Sequence, residues 1–158
     1  ALELLAKPPE NLGRPEAWWT ERHILARRLI DQGRYAEAYR LAAAPGAEKG
    51  LAFAQAQFLA GFLSLRFLKQ PDKALAHFES LYRGTESPIS KSRGAYWAGR
   101  AAEALGMAER AKTWYGTAAR HGGSFYGQLA ADELGMAAGA GIVRDLKLSD
   151  EGTTTFRK

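Results

Sequence analysis

The sequence contains no cysteine, and valine and isoleucine together number only five. The missing cysteine excludes disulfides, thiolate metal sites and cysteine nucleophiles. Because β-branched residues favour strands and alanine favours helices, a chain with 30 alanines and so few β-branched residues has little capacity for a large sheet. The composition therefore predicts an all-α protein.

Long apolar runs are also missing. The most apolar stretch, residues 51–65, is uncharged for 15 residues but contains Gln55, Gln57 and Ser64. A membrane-spanning helix needs about 20 apolar residues, so we expect a buried helix here and no transmembrane segment. The first residues have no basic start, apolar run or cleavage site, so no export signal is visible in them.

Positive charge is in modest excess, with 22 lysines and arginines against 17 acids and a net charge of +5. A cationic surface attracts polyanions, and nucleic acid, an anionic membrane and the acidic polymer of the bacterial cell wall all fit. No block of consecutive basic residues selects one of them. A solvated basic surface without a partner is an equally open interpretation.

The spacing of apolar residues and the capping signals predict seven helices. The predicted ranges are 16–32, 34–44, 51–68, 71–83, 88–105, 108–121 and 125–134. The chain then divides into a leading segment over 1–15, a helical-repeat domain over 16–135 and an irregular tail over 136–158. No sustained period is present in the tail.

The predicted helices recur in pairs. Three sets of positions repeat with spacings of 36 and 37 residues: Ala38, Ala74 and Ala111; Ala42, Phe78 and Tyr115; Gly33, Lys69 and Gly106. Small residues such as Gly99 and Ala111 suit a close crossing of two helices, and Phe78 or Tyr115 would fill the wedge towards the neighbouring hairpin. Since one hairpin cannot bury its apolar face alone, the pattern predicts a superhelical, tetratricopeptide-like solenoid of antiparallel helical hairpins.

Signals of catalytic chemistry are scarce. The three histidines, His23, His77 and His121, are more than 40 residues apart and match no metal-binding spacing, so we expect neither a metal nor another cofactor. Glu79 and Glu103 are the acids most closely bracketed by apolar residues, which is the setting of a glycosidase acid, but we expect neither to be catalytic.

Binding residues are suggested by an aromatic pair, Tyr96 and Trp97, which lies between Arg93 and Arg100. An exposed ring beside a guanidinium can stack on a sugar or hold a peptide. The competing interpretation is structural, because stacked hairpins bury two sides of each helix and would wedge both rings between helices. We take Arg93, Tyr96, Trp97 and Arg100 as candidate substrate-binding residues.

Three segments occur in a distinctive order: SPISKSRGAYWAGRAAEALG, then WYGTAA, then SFYGQLAADELG. Together with the opening stretch RPEAWWTERHILARRLIDQGRYAEAYRLAA, they make residues 12–135 resemble the superhelical region of bacterial soluble lytic murein transglycosylases. The resemblance implies a periplasmic parent enzyme, a lyase that cleaves peptidoglycan glycan strands without water and leaves 1,6-anhydromuropeptides.

In that family the catalytic glutamate lies in a lysozyme-like domain, in an ES-x-F context followed by a GLMQ-like stretch. This chain has no such stretch, so no catalytic residue is carried over. We expect an internal, non-catalytic piece of such an enzyme, whose tail leads to further helices and the catalytic domain. Its expected partners are the glycan strands of peptidoglycan and the parent's own catalytic domain.

Two alternatives belong to other functional classes. A free-standing tetratricopeptide-like adaptor would hold a partner peptide in a concave groove. A basic solenoid that binds nucleic acid would do so with a steep dependence on salt. Of these we regard the adaptor as the main rival, and we expect no nucleic-acid partner.

Overall fold

The computed structural model describes residues 15–44 and 46–136, which form seven α-helices and, within those ranges, no strand. The helices are α1 (Pro15–Asp31), α2 (Tyr35–Ala42), α3 (Gly50–Arg66), α4 (Pro71–Arg83), α5 (Pro88–Ala104), α6 (Ala108–Ala119) and α7 (Phe125–Glu133). The all-α prediction is confirmed, and each predicted helix is present. Apart from Pro15 and Met136, the predicted leading segment and tail lie outside the described residues.

Several helices end earlier than their apolar periodicity predicts. The third stops at Arg66 instead of residue 68, because the Leu68 N–H donates to the Leu63 carbonyl five residues earlier, at 3.0 Å. The sixth stops at Ala119, and the His121 N–H then donates to the Ala118 carbonyl only three residues back, at 3.0 Å. These turns satisfy the free carbonyls at each helix end, a local effect that apolar spacing does not report.

Each helix packs against the next helix in the chain, and the odd-numbered helices also contact one another in succession, α1 with α3, α3 with α5 and α5 with α7. We call α1–α2, α3–α4 and α5–α6 the three hairpins, because a turn with one positive-φ residue joins the two helices of each pair. Helix α7 packs on the third hairpin through both α5 and α6.

The positions that recur in the sequence have equivalent structural roles. The first two sets are buried throughout: Ala38, Ala74 and Ala111; Ala42, Phe78 and Tyr115. The third set has a positive φ in all three hairpins: Gly33 at 72°, Lys69 at 55° and Gly106 at 72°. The repeat is thus present in burial and in backbone conformation.

Aromatic rings fix the close crossings within two hairpins. A Cβ atom on Gly61 would lie 2.6 Å from the Phe78 ring, and a Cβ atom on Gly99 would lie 2.6 Å from the Tyr115 ring. The predicted close crossing at Gly99 is confirmed. Each ring first fills the space beside a glycine of its own hairpin, and the centroid of the Phe78 ring also lies 5.9 Å from that of Trp97 in the next hairpin.

Helix α1 buries a charged residue within its apolar face. Trp19, Ala26 and Leu29 are buried, and Arg22 between them is fully buried as well. The Arg22 guanidinium donates to the Ala44 carbonyl, and burial lowers the pKa of this side chain. Since a charged residue occupies the inner face, hydropathy alone gives a weak signal for this helix.

None of the helices in the described ranges is long and apolar enough to cross a membrane. Helix α3, which contains the most apolar stretch, instead buries a row of small residues that includes Ala52, Ala56 and Ala60.

Candidate functional site

A cleft of about 400 Å³ lies beside the C-terminal parts of α3 and α5 and extends to the turn that follows α3. We call it the α3/α5 cleft. Three of its lining residues are apolar and three are cationic: Leu65, Trp97 and Ala104; Arg66, Lys69 and Arg100. The cleft therefore combines an apolar wall with a concentration of positive charge.

Trp97 is held in place by a cluster of aromatic rings. The centroid of its ring lies 5.4 Å from that of Phe62, 5.9 Å from that of Phe78 and 6.1 Å from that of Phe58. The indole Nε1 is buried and has no hydrogen-bond partner among the described residues. Trp97 is thus a half-buried core residue that presents its remaining surface to the cleft.

Arg100 is oriented by two neighbours on its own helix. Its Nη1 donates to the Tyr96 hydroxyl at 3.2 Å, and its Nε lies 3.4 Å from Glu103 Oε2. The hydrogen bond to Tyr96 and the nearby Glu103 carboxylate raise the pKa of Arg100. The guanidinium therefore remains charged at the edge of the cleft.

Arg66 and Lys69 are both exposed, and within the described ranges neither forms a salt bridge or a side-chain hydrogen bond. Sequence reasoning missed both residues. A signal was available for Lys69, because the repeat aligns it with Gly33 and Gly106. A lysine at a position that is otherwise glycine, next to a second cation, could have drawn attention to this turn.

The four candidate residues from the sequence are divided by the structure. Trp97 and Arg100 line the cleft, whereas Tyr96 is only 5% exposed and donates its hydroxyl to Glu133 at 3.5 Å. Arg93 lies with its guanidinium carbon 4.4 Å from the centroid of the Phe58 ring. Burial lowers the pKa of Arg93. Tyr96 and Arg93 therefore contribute to the packing around the cleft.

Glu79 and Glu103, the two acids that are flanked by apolar residues in the sequence, both form ion pairs. Glu79 accepts from Arg110 at 2.5 Å and lies 3.6 Å from Arg83. Glu103 accepts from the Tyr115 hydroxyl at 2.7 Å in addition to its contact with Arg100. Burial and this hydrogen bond raise the pKa of Tyr115. Both carboxylates thus have structural partners.

Metal-binding chemistry has no support in the described ranges, which contain no group of three or more acidic and histidine side chains placed to hold an ion. His77 is instead engaged on both ring nitrogens, by Tyr39 and by Gln57.

The arrangement in the α3/α5 cleft is suited to an anionic ligand that also has an apolar face, since three cations and the indole of Trp97 line the same cleft. No protein-family model, curated protein or solved structure matches this chain.

Proposed function

We propose that this chain is the non-catalytic, superhelical scaffold of a soluble lytic murein transglycosylase and that it contacts the glycan strands of peptidoglycan. In this proposal the hairpins form a solenoid in the periplasm that positions the parent's catalytic domain along the strand. The recurrence of the turn residues and the contacts between successive odd-numbered helices support a solenoid.

The observation that carries the proposal is the composition of the α3/α5 cleft. Glycan strands of peptidoglycan present sugar faces together with carboxylates of muramic acid and of the stem peptides. An indole can stack against a sugar face, and arginine and lysine bind carboxylates. Trp97 with Arg66, Lys69 and Arg100 supplies both kinds of contact in one place.

The pairing of the two candidate acids with arginine supports the non-catalytic role. A lytic enzyme that acts on a glycan needs a carboxylic acid in a substrate-filled cleft, with a pKa suited to proton transfer. Glu79 and Glu103, the two candidates, are each paired with arginine. We expect the purified chain alone to release no 1,6-anhydromuropeptides from peptidoglycan.

The test is co-sedimentation with purified peptidoglycan sacculi at 150 mM salt. Arg66 and Arg28 form a matched pair, because each is an exposed arginine in the last turn of an odd-numbered helix, and of the two Arg66 lines the cleft. We expect Arg66→Glu to reduce the pelleted fraction at least threefold and Arg28→Glu to leave it nearly unchanged.

Two outcomes would contradict the proposal. The first is that the wild-type chain stays in the supernatant, and the second is that both charge reversals reduce pelleting equally. The second outcome would indicate a general attraction between a basic protein and an acidic polymer.

The peptide-binding adaptor is favoured by a second cavity, of about 710 Å³, at the N-terminal end of α3. It contains Leu51, which is 70% exposed, together with Lys49 and Arg83. Glu48 and Glu86 also line this cavity, so its charges are mixed, and the exposed leucine could hold an apolar peptide segment. The adaptor predicts that Leu51→Ser abolishes capture of such a peptide, whereas the glycan proposal predicts that Leu51→Ser pellets with sacculi like the wild-type chain.

A further inference from the structure

The turns within the three hairpins share one backbone conformation but differ in the type of residue that adopts it. The positive-φ residues Gly33, Lys69 and Gly106 are each followed by the residue that precedes the next helix. Those following residues have φ and ψ of −86° and 57° at Arg34, −119° and 72° at Gln70, and −90° and 68° at Met107. The middle turn is thus the one of the three that places a side chain on the left-handed residue.

A side chain at this position is unfavourable. In the left-handed region the Cβ atom of an L-residue comes too close to the following carbonyl oxygen, whereas glycine adopts the conformation without strain. Lysine has no short polar group that could compensate through a local hydrogen bond, as asparagine or aspartate does. The middle hairpin therefore carries a backbone cost that the first and third avoid.

The strained residue also lines the α3/α5 cleft. Lys69 and Arg66 enter it from the end of α3, and Arg100 enters it from α5. Arg100 has Glu103 as a neighbour, whereas Lys69 and Arg66 have no acidic partner in the described ranges. Three cations thus converge on a cleft with one nearby acid, which leaves uncompensated positive charge beside the indole of Trp97.

We propose that the α3/α5 cleft is a subsite for a sugar that carries a carboxylate, and that Lys69 occupies a glycine position because its ammonium binds that carboxylate. The subsite class is a carboxylated hexose derivative, since Leu65, Trp97 and Ala104 offer an apolar wall that a small inorganic anion would not use. The inference rests on the proposed glycan-binding function and specifies which part of the strand the cleft takes.

Two sugars distinguish carboxylate binding from ring stacking. N-acetylmuramic acid differs from N-acetylglucosamine by a lactyl ether that bears one carboxylate. We expect N-acetylmuramic acid to shift the amide resonances of residues 65–70 in a nuclear magnetic resonance titration, with a dissociation constant in the millimolar range. N-acetylglucosamine is expected to bind at least fivefold more weakly, because it lacks the charge-assisted contacts.

The decisive variant is Lys69→Gly. It removes the ammonium and relieves the left-handed strain, so affinity for N-acetylmuramic acid should fall about fivefold while the melting temperature rises by roughly 2–4 °C. Arg66→Gln should also weaken binding, and the matched Arg28→Gln variant should not.

The inference is overturned if Lys69→Gly leaves the affinity unchanged, if it lowers the melting temperature, or if both sugars bind equally. Equal binding together with pelleting on sacculi would leave the proposed glycan-binding function intact. Selective binding of N-acetylmuramic acid without pelleting would support the subsite and contradict the proposed function.

Discussion

The middle hairpin, α3–α4, contacts the first hairpin and the third hairpin through different chemistry. Towards the first hairpin, two side-chain hydrogen bonds accompany a core of small, aliphatic and aromatic residues, which includes the stacked rings of Tyr35 and Phe67 with centroids 4.0 Å apart. Trp19 Nε1 donates to Gln55 Oε1 at 2.9 Å. His77 Nε2 lies 3.1 Å from the Tyr39 hydroxyl of the first hairpin, and His77 Nδ1 lies 2.8 Å from Gln57 Oε1 of its own hairpin.

Towards the third hairpin, the contact is made mainly by rings and small residues. The rings of Phe58, Phe62 and Phe78 pack against Trp97, and Phe78 shares a buried apolar cluster with Ala98 and Ala101. The salt bridge between Glu79 and Arg110 spans the same boundary at 2.5 Å. Buried aromatic rings stabilise chiefly through the apolar area they remove from water, whereas hydrogen bonds lose their value when a donor or acceptor moves. The same hairpin thus has one interface with two side-chain hydrogen bonds and one interface in which rings and a salt bridge predominate.

The largest expected effect is on the aromatic side. Phe78 is completely buried and contacts Gly61 of its own hairpin as well as the third hairpin. We expect Phe78→Ala to lower the free energy of unfolding by about 3–5 kcal/mol, measured by urea denaturation.

On the polar side, Tyr39→Phe removes only the hydroxyl and should lower the free energy of unfolding by about 1 kcal/mol. Equal costs for the two variants would contradict the contrast between the interfaces.

A smaller effect should distinguish the polar side by its dependence on pH. Since Gln57 Oε1 can only accept, the bonded Nδ1 of His77 carries the proton and Nε2 accepts from Tyr39. Burial, reinforced by the Lys73 ammonium, lowers the pKa of His77. Below the ordinary pKa of about 6.5 the unfolded chain then binds more protons than the folded chain, so stability decreases as the pH falls.

One such proton gives a slope of at most about 1.4 kcal/mol per pH unit between the folded pKa and pH 6.5. The measurement is urea denaturation of the wild-type chain and His77→Gln at pH 7.5, 6.5 and 5.5. The variant should show a smaller slope, although not zero, because burial and Arg27 also lower the pKa of His23. Parallel curves for the two proteins would contradict the assignment.

The smallest effect concerns the salt bridge at the aromatic interface. The Arg110 side chain is half exposed, so Arg110→Ala should cost only about 0.5 kcal/mol despite its short contact with Glu79. Lys112→Ala on the same helix, which removes a more exposed pair with Glu109, should cost less still. A loss above about 2 kcal/mol for Arg110→Ala would mean that the third hairpin depends on charge as well as on rings.

The sequence was sufficient for the helices and for the repeat because their signals are local. Pro71 in the first turn of α4 and Ser124 before α7 mark helix starts, and the Ser124 hydroxyl accepts from the Gly127 N–H at 3.0 Å. Gly33 and Gly106 mark helix ends through their positive φ. Such signals depend on a few neighbouring residues and are readable without knowledge of the tertiary structure.

The candidate site could be predicted only in part. Residues adjacent on a helix point about 100° apart, so the sequence could not decide which of Tyr96 and Trp97 lies deeper. The cations that complete the cleft, Arg66 and Lys69, come from α3 and the turn after it, and only the packing of α3 beside α5 brings them to Trp97. Long-range proximity of this kind leaves no periodic trace in the sequence.

The alanine-lined interior limits which substitutions the chain can accept. Ala38, Ala60 and Ala74 are fully buried, so a longer side chain there has to be accommodated within a closely packed interior. A larger residue at these positions is expected to cost about 1–3 kcal/mol through overpacking, and glycine about 1 kcal/mol through its low helix propensity. Tolerated substitutions are therefore expected mainly on the outer faces of the helices. Residues that contact a ligand can vary there while the spacing of the hairpins stays the same.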